Sequence, residues 1–447
     1  MYPIKSKFTM FAAVIAFLFS AVSIANSAHA VKIEEIKTAS GLTAWLVRDH
    51  TNPIISIRFQ FKGGSALDLN GKEGLASVAS ALLDEGAGKW DSRAFQRQME
   101  DLSVKLSFSA NRDSFGGRLR TLRKNRAAAF DLLKDALTNP RFDEEPIARI
   151  RSQTIANLRQ RSEDPGTVAG QTLMKALFPT HPYGRPNSGT VESVKKITRR
   201  DLTTFVTQRL AQNNLIVGIV GDISKEEVAD FLSKTFSELP QKAAPWNLPE
   251  VIPTAEGKTI VVNKSVPQSS VMFAHHGFKR DDPDFLTAYV VNHIFGAGSF
   301  TSRLYQNIRE KRGLVYSINT YLRPLDSTSL VAGNGGTANA RVGETVSILR
   351  KEWNRIAKDG VTETELSEAK TFLTGSFPLR FTRSGRIAAM LVGMQLWDRG
   401  IDYFDRRNAL VEAVTLKDAN RVAKRLLGGN KLTVVVVGQP KGLKSLQ

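Results

Sequence analysis

Leu215-Ile216-Val217-Gly218-Ile219-Val220-Gly221 is an apolar run ending in glycine, and Leu432-Thr433-Val434-Val435-Val436-Val437-Gly438 repeats it near the far end of the chain. Runs that are apolar at successive positions fit strands buried on both faces of a sheet. Each run closes a stretch with similar parts. Upstream of the first, residues 42–47 and 54–61 read as strands. The second of these alternates, with Ile57, Phe59 and Phe61 set against Ser56, Arg58 and Gln60. A turn at Gly63-Gly64 follows, then a helical stretch after Gly74. Upstream of the second run, residues 258–263 and 270–276 take the strand parts, and 284–295 the helical one. Amphipathic helices are expected over 93–102, 125–136 and 144–161. Strands and long helices occur in each half without steady alternation. That pattern predicts an α+β fold of two homologous domains, each a mostly antiparallel sheet covered by helices on one face.

The boundaries follow from composition. Pro240, Pro245, Pro249 and Pro253 mark residues 240–257 as a linker between domains at 31–239 and 258–447. Residues 1–30 read as a signal peptide. Lys5 and Lys7 precede an apolar run from Met10 to Ile24, and Ala28-His29-Ala30 offers a cleavage site. The alternative, a membrane anchor, needs roughly 20 apolar residues, and this run is shorter. Cleavage near Ala30 predicts a bacterial periplasmic protein with no transmembrane anchor left. With no cysteine, neither a disulfide nor a thiolate zinc site can form. The formal charge is +19, or +17 without the leader's two lysines. Yet the basic residues are dispersed, and no basic run alternates with aromatics. A nucleic-acid partner is therefore not expected, and the charge reads as a solvated surface.

Three segments carry a resemblance. They are Gly63-Gly64-Ser65 with Gly71-Lys72-Glu73-Gly74-Leu75-Ala76, then His181-Pro182-Tyr183-Gly184-Arg185-Pro186, then Ser302-Arg303-Leu304-Tyr305-Gln306 leading into Arg309-Glu310-Lys311-Arg312-Gly313-Leu314-Val315-Tyr316. In order and spacing they resemble the pitrilysin/insulinase zinc metallopeptidases, the group that includes the mitochondrial processing peptidase. The likeness spans roughly residues 33–438. Peptide-cleaving members carry His-x-x-Glu-His after the Gly-Leu-Ala-like step. Here those positions hold Ser77, Val78, Ala79, Ser80 and Ala81. On a helix, positions 77, 80 and 81 share a face, which offers two hydroxyls and a methyl instead of two imidazoles and a carboxylate. The family's third ligand is a Glu on a later helix, and its best match is Asn157. Catalytic zinc needs about three nitrogen or carboxylate ligands and an open position. The resemblance is thus to a member without its metal, and no cofactor is expected in this chain.

Other catalytic sites fare no better. No His-x-x-x-His spacing occurs, and His275 and His276, adjacent on a strand, point to opposite faces. His181 reads as a structural turn residue. Gly296-Ala297-Gly298-Ser299 lacks the second glycine of a nucleophile elbow and the Lys of a phosphate loop, so it reads as a turn with Ser299 or Thr301 capping the next helix.

Arg309 and Tyr316 remain. Gly313 should end the helix between them, leaving Arg309 on the last turn and Tyr316 on the following strand. Read alone, they are a solvated helix end and a packed ring. In the family, an Arg and a Tyr at this spacing reach the substrate carbonyl across a chamber of four such domains, in one chain or in two. The resemblance therefore implies half of a peptidase chamber. It pairs with a homologous zinc-bearing chain and offers substrate-binding Arg309 and Tyr316 in trans. A peptide would add a strand to an exposed sheet edge, with 104–110 and 113–119 the relevant strands in the first half. The alternative is a peptide-binding or chaperone-like homodimer without proteolytic activity.

Overall fold

The computed structural model describes residues 31–254, 257–429 and 431–443. Residues 1–30, read above as a signal peptide, lie outside the described residues. The first sheet contains β1 (Glu34–Lys37), β2 (Thr43–Arg48), β3 (Ile54–Lys62), β4 (Lys105–Ala110), β5 (Ser114–Leu122) and β6 (Leu215–Gly221), in the order β1-β2-β6-β3-β5-β4. The second contains β7 (Thr259–Asn263), β8 (Gln268–His276), β9 (Val315–Pro324), β10 (Ser329–Ala338) and β11 (Thr433–Gly438), in the order β7-β11-β8-β10-β9. Without β1 the two orders coincide strand for strand. Each sheet has one parallel pair beside a run of antiparallel ones, β2 with β6 and β7 with β11. The duplication and the α+β class are therefore features of the structure.

The two glycine-ended runs are interior strands, and their parity shows why they must be apolar throughout. In β11, Val434 and Val436 enter the core under the second half's own helices, while Val435 and Val437 enter a different core. In β6, Val217 and Ile219 face the first half's helices and Val220 faces away from them. A helix lent by the other half covers part of each second face. Helix Pro165–Leu177 brings Ala169, Leu173 and Leu177 against Ala274, Val435 and Val437. Helix Ser384–Leu396 brings Ile387, Ala388 and Leu391 against Val47 and Val220. Gly218 admits that second helix, because a Cβ there would lie 2.6 Å from the Ala388 carbonyl oxygen. Helices thus cover one face of each sheet locally and the other by exchange. Periodicity can foresee the first arrangement but not the second.

The described residues between Phe236, where the last helix of the first half ends, and Thr259, where β7 begins, are irregular and tied to both halves. The Val251 amide donates to Ser327, the Thr254 amide donates to Leu177, and Ser327 donates to the Leu248 carbonyl. Among the described residues, no helix is long and apolar enough to cross a membrane.

Candidate functional site

Where the resemblance puts the metal motif, the helix Leu75–Ser80 is only six residues long. Gly74 enters it at φ +93°, where any Cβ would strike the Ser188 carbonyl. The buried Asp68 carboxylate accepts from the Gly74 amide at 2.8 Å and the Ala76 amide at 3.1 Å, partnering N–H groups that a helix start leaves open. Ser77 and Ser80 are half-buried. The Ser80 hydroxyl donates to the Ser77 carbonyl at 2.7 Å, so its proton is already engaged. Ala81, already past the helix, is exposed, as is Asn157 on the Glu144–Glu163 helix. Two neutral hydroxyls, a methyl and an exposed carboxamide do not fit a zinc ion. Among the described residues, no group of three or more His, Asp or Glu side chains could hold a metal. The histidines have separate duties. His50 meets Asp222 at 2.6 Å, and His181 accepts from the Tyr183 amide while its other nitrogen faces the Pro249 carbonyl. His275 accepts from the Trp353 indole, and His293 stacks on Phe372.

Burial pushes the Asp68 carboxyl up to about 7, against the two amides and the Arg185 charge that favour ionisation. A carboxyl with its folded value above the unfolded one of about 3.9 keeps its proton in the folded state after the unfolded state has lost it. Its contribution to stability is therefore present at acid pH and is lost as the pH rises from about 4 to about 7, with a slope no steeper than about 1.4 kcal/mol per pH unit. Urea midpoints at pH 4.5 and 7.5 should show Asp68→Asn gaining on the parent protein at the higher pH. An equal difference at both values would remove the argument.

The second constellation lies at the edge of the second sheet. Strand β9 is an edge strand, paired with β10 alone among the described residues. Ile318 faces Gly335 and Val315 faces Thr337, which leaves Tyr316 and Ser317 together opposite Gly336. This β-bulge re-aims the side chains at the strand's start. Tyr316 is 81% exposed, so the packed-ring reading fails. Lys311 and Arg312 are exposed, as a solvated helix end requires, but the Arg309 guanidinium is held against two rings, 4.8 Å from the centre of Tyr305 and 5.2 Å from that of Tyr316. Its only ion-pair contact among the described residues is Glu310 at 3.9 Å. Gly313, at φ +59°, turns the chain from the helix into β9, as its position predicts.

Two local features depart from expectation. The segment Tyr305–Glu310 is π-helical, and the preceding helix, α-helical over Phe285–Asn292, widens to a π turn at His293–Ala297. Such turns are rare and recur at functional sites. Nor does Ser299 or Thr301 cap the next helix. A 3₁₀ turn at Ser299–Thr301 intervenes, Thr301 donates back to the Gly298 carbonyl, and the helix is entered at Ser302. Sequence reading passed over Tyr305, which is buried beneath Arg309 and meets the exposed Phe300 edge-on at 5.0 Å. The signal was present, since Tyr305 stands four residues before Arg309, the spacing that stacks side chains on a helix.

A duplicated α+β chain with an Arg–Tyr pair at the edge of its second sheet, and with no cluster of metal ligands among the described residues, resembles a metallopeptidase half that lacks its metal. The family described as "Insulinase (Peptidase family M16)" matches residues 43–191, and "Peptidase M16 inactive domain" matches 196–373. A Helicobacter pylori protein named non-peptidase homolog YmxG is 28% identical over 399 residues, covering 88% of this chain and 91% of that protein. An uncharacterized zinc protease of Streptomyces coelicolor is 26% identical, covering 72% and 71%. Among solved structures, a Pseudomonas fluorescens protein described as a peptidase M16 inactive domain superposes with a TM-score of 0.86 at 27% identity, covering 93% of this chain and 100% of that one. The chain belongs to the M16 peptidase family.

Proposed function

We propose that this chain is the non-catalytic subunit of a two-chain zinc peptidase of the bacterial periplasm. It completes half of a closed chamber and presents Arg309 and Tyr316 to a peptide held at the zinc of a homologous partner chain. The observation that carries this reading is the pair itself. A half-buried guanidinium is clamped against a phenol that stands open to solvent at the start of an edge strand, an exposure for which the packing gives no structural reason. Both are donors, suited to an oxygen on which negative charge develops as a peptide carbonyl is attacked. The chain supplies neither a Lewis acid nor a general base at the vestigial helix, so those belong to the partner. A preformed donor pair reaches the substrate without further ordering. The open edge of β9, or that of β4 in the first half, offers backbone groups to an extended peptide.

The test is reconstitution with a homologous exported chain that retains His-x-x-Glu-His. Size-exclusion chromatography with light scattering should give a one-to-one complex, with zinc assayed only in the partner. Hydrolysis of an unfolded peptide should rise well above the partner's own rate. Stoichiometric zinc in this chain with chelator-sensitive cleavage by it alone would overturn the proposal. A homodimer that binds peptide and ignores the partner would establish the chaperone-like alternative.

A further inference from the structure

Away from both constellations, the second half contains a cleft of about 220 Å³ between helices Phe285–Asn292, Ser384–Leu396 and Tyr403–Glu412. Four guanidiniums line it, those of Arg280, Arg380, Arg399 and Arg407, and no carboxylate does. None of the four makes an ion pair among the described residues, although this chain pairs many of its other arginines. Such a concentration of uncompensated charge at a partly buried site opposes folding unless something else offsets it.

The surroundings hold the guanidiniums in place without neutralising them. Arg280 lies over Phe285 at 4.6 Å, Arg399 over Tyr403 at 5.9 Å and Arg407 over Phe377 at 4.4 Å. Stacking occupies the flat face of a guanidinium and leaves its N–H edge available. The edges are little used. Arg399 donates through Nη2 to the Arg280 carbonyl, Arg407 through Nη1 to the Leu373 carbonyl and Asn408, and Arg380 through Nη2 to the Tyr289 hydroxyl at 3.4 Å. Each guanidinium has five N–H donors. Arg407 is 95% buried, and the buried Arg280 Nε has no hydrogen-bond partner. Burial also pulls both guanidiniums below their ordinary values, Arg407 with a further push from Arg380 and Arg280 with one from Arg399. The remaining walls are apolar, including Leu286, Met390 and Met394.

We propose that this cleft binds a short-chain amphipathic organic anion, its carboxylate among the four arginines and its hydrocarbon body against the rings and methionines. Unpaired donors specify the anionic head and the apolar walls specify the body. The volume falls below the roughly 300–1,000 Å³ of sites for drug-sized ligands, which limits the guest to a short chain. This inference is independent of pairing with a zinc-bearing chain.

Calorimetric titration of the full chain with octanoate tests it. Octanoate is expected to bind at one site, at least tenfold more tightly than acetate or inorganic phosphate, while octyltrimethylammonium does not bind there. Affinity should fall with added salt. Arg380→Gln with Arg399→Gln should weaken octanoate at least tenfold without moving the thermal midpoint by more than a few degrees. Equal affinity for octanoate and the cationic analogue, or octanoate binding indifferent to salt, would overturn the proposal using the parent protein alone. Phosphate binding as tightly as octanoate would overturn the apolar part and leave a simple anion site.

Discussion

Arg309→Ala combined with Tyr316→Phe is expected to lower peptide hydrolysis by the reconstituted pair of chains by about 10²–10³-fold, the loss typical of a donor aimed at a developing oxyanion. The fall should appear in kcat more than in KM, because the hydrogen bonds strengthen only as charge builds on the carbonyl oxygen. Tyr316→Phe removes one hydroxyl from a ring that is 81% exposed, and Arg309 lies on the outer side of the buried Tyr305 ring, so neither change should disturb folding or chain association. The single variants should not sum to the double. Arg309 lies against Tyr316 at 5.2 Å, and its loss also releases the ring. Arg309→Lys should fall in between, since it keeps the charge but not the planar fork. The readout is kcat on a quenched unfolded peptide, with the one-to-one complex verified by light scattering. A double variant that hydrolyses at the parent rate, in an intact complex, would show that the pair does not face the substrate.

Much of this architecture was legible in the chain because strand burial writes itself into side-chain parity. The almost wholly apolar β6 and β11 fit interior strands with both faces covered, and β3 alternates apolar with polar residues along most of its length. What no local pattern carries is the origin of the second cover. The Pro165–Leu177 and Ser384–Leu396 helices look like any amphipathic helix, and only the assembled chain shows each lying on the other half's sheet. The expectation that this chain holds no zinc of its own rests on residue chemistry, since a serine hydroxyl cannot replace an imidazole wherever it points. For Arg309 and Tyr316, sequence fixed the element boundary through Gly313 but not the exposure. The exposure depends on β9 being an edge strand and on the bulge opposite Gly336. The arginine cleft gave no sequence signal at all. Arg380, Arg399 and Arg407 follow one another at irregular spacing and Arg280 comes from far upstream, and only tertiary packing gathers the four.

The largest effect on stability is expected at Trp353. Its indole is 1% exposed and meets three aromatic rings edge-on, Phe273 at 5.8 Å, His275 at 5.3 Å and Phe295 at 5.1 Å. Those partners come from β8 and from the π turn before the Arg–Tyr segment, so one side chain ties the sheet, its helical cover and the approach to the candidate site. The indole N–H also donates to His275 Nε2 at 3.2 Å, which fixes which His275 nitrogen is the acceptor. Trp353→Ala would delete the ring, its edge-to-face contacts and that donor together, leaving a cavity that rigid strands cannot fill. A truncation of this kind costs about 3–5 kcal/mol, against a total stability of about 5–15 kcal/mol for an ordinary domain. Trp353→Phe should recover most of the packing while losing the hydrogen bond, and so should lie between the parent and the alanine variant. Denaturant midpoints compared at constant slope measure the difference. A Trp353→Ala protein with the parent's midpoint would mean that the second core does not depend on this residue, and that the π turn leading to Arg309 is anchored by something else.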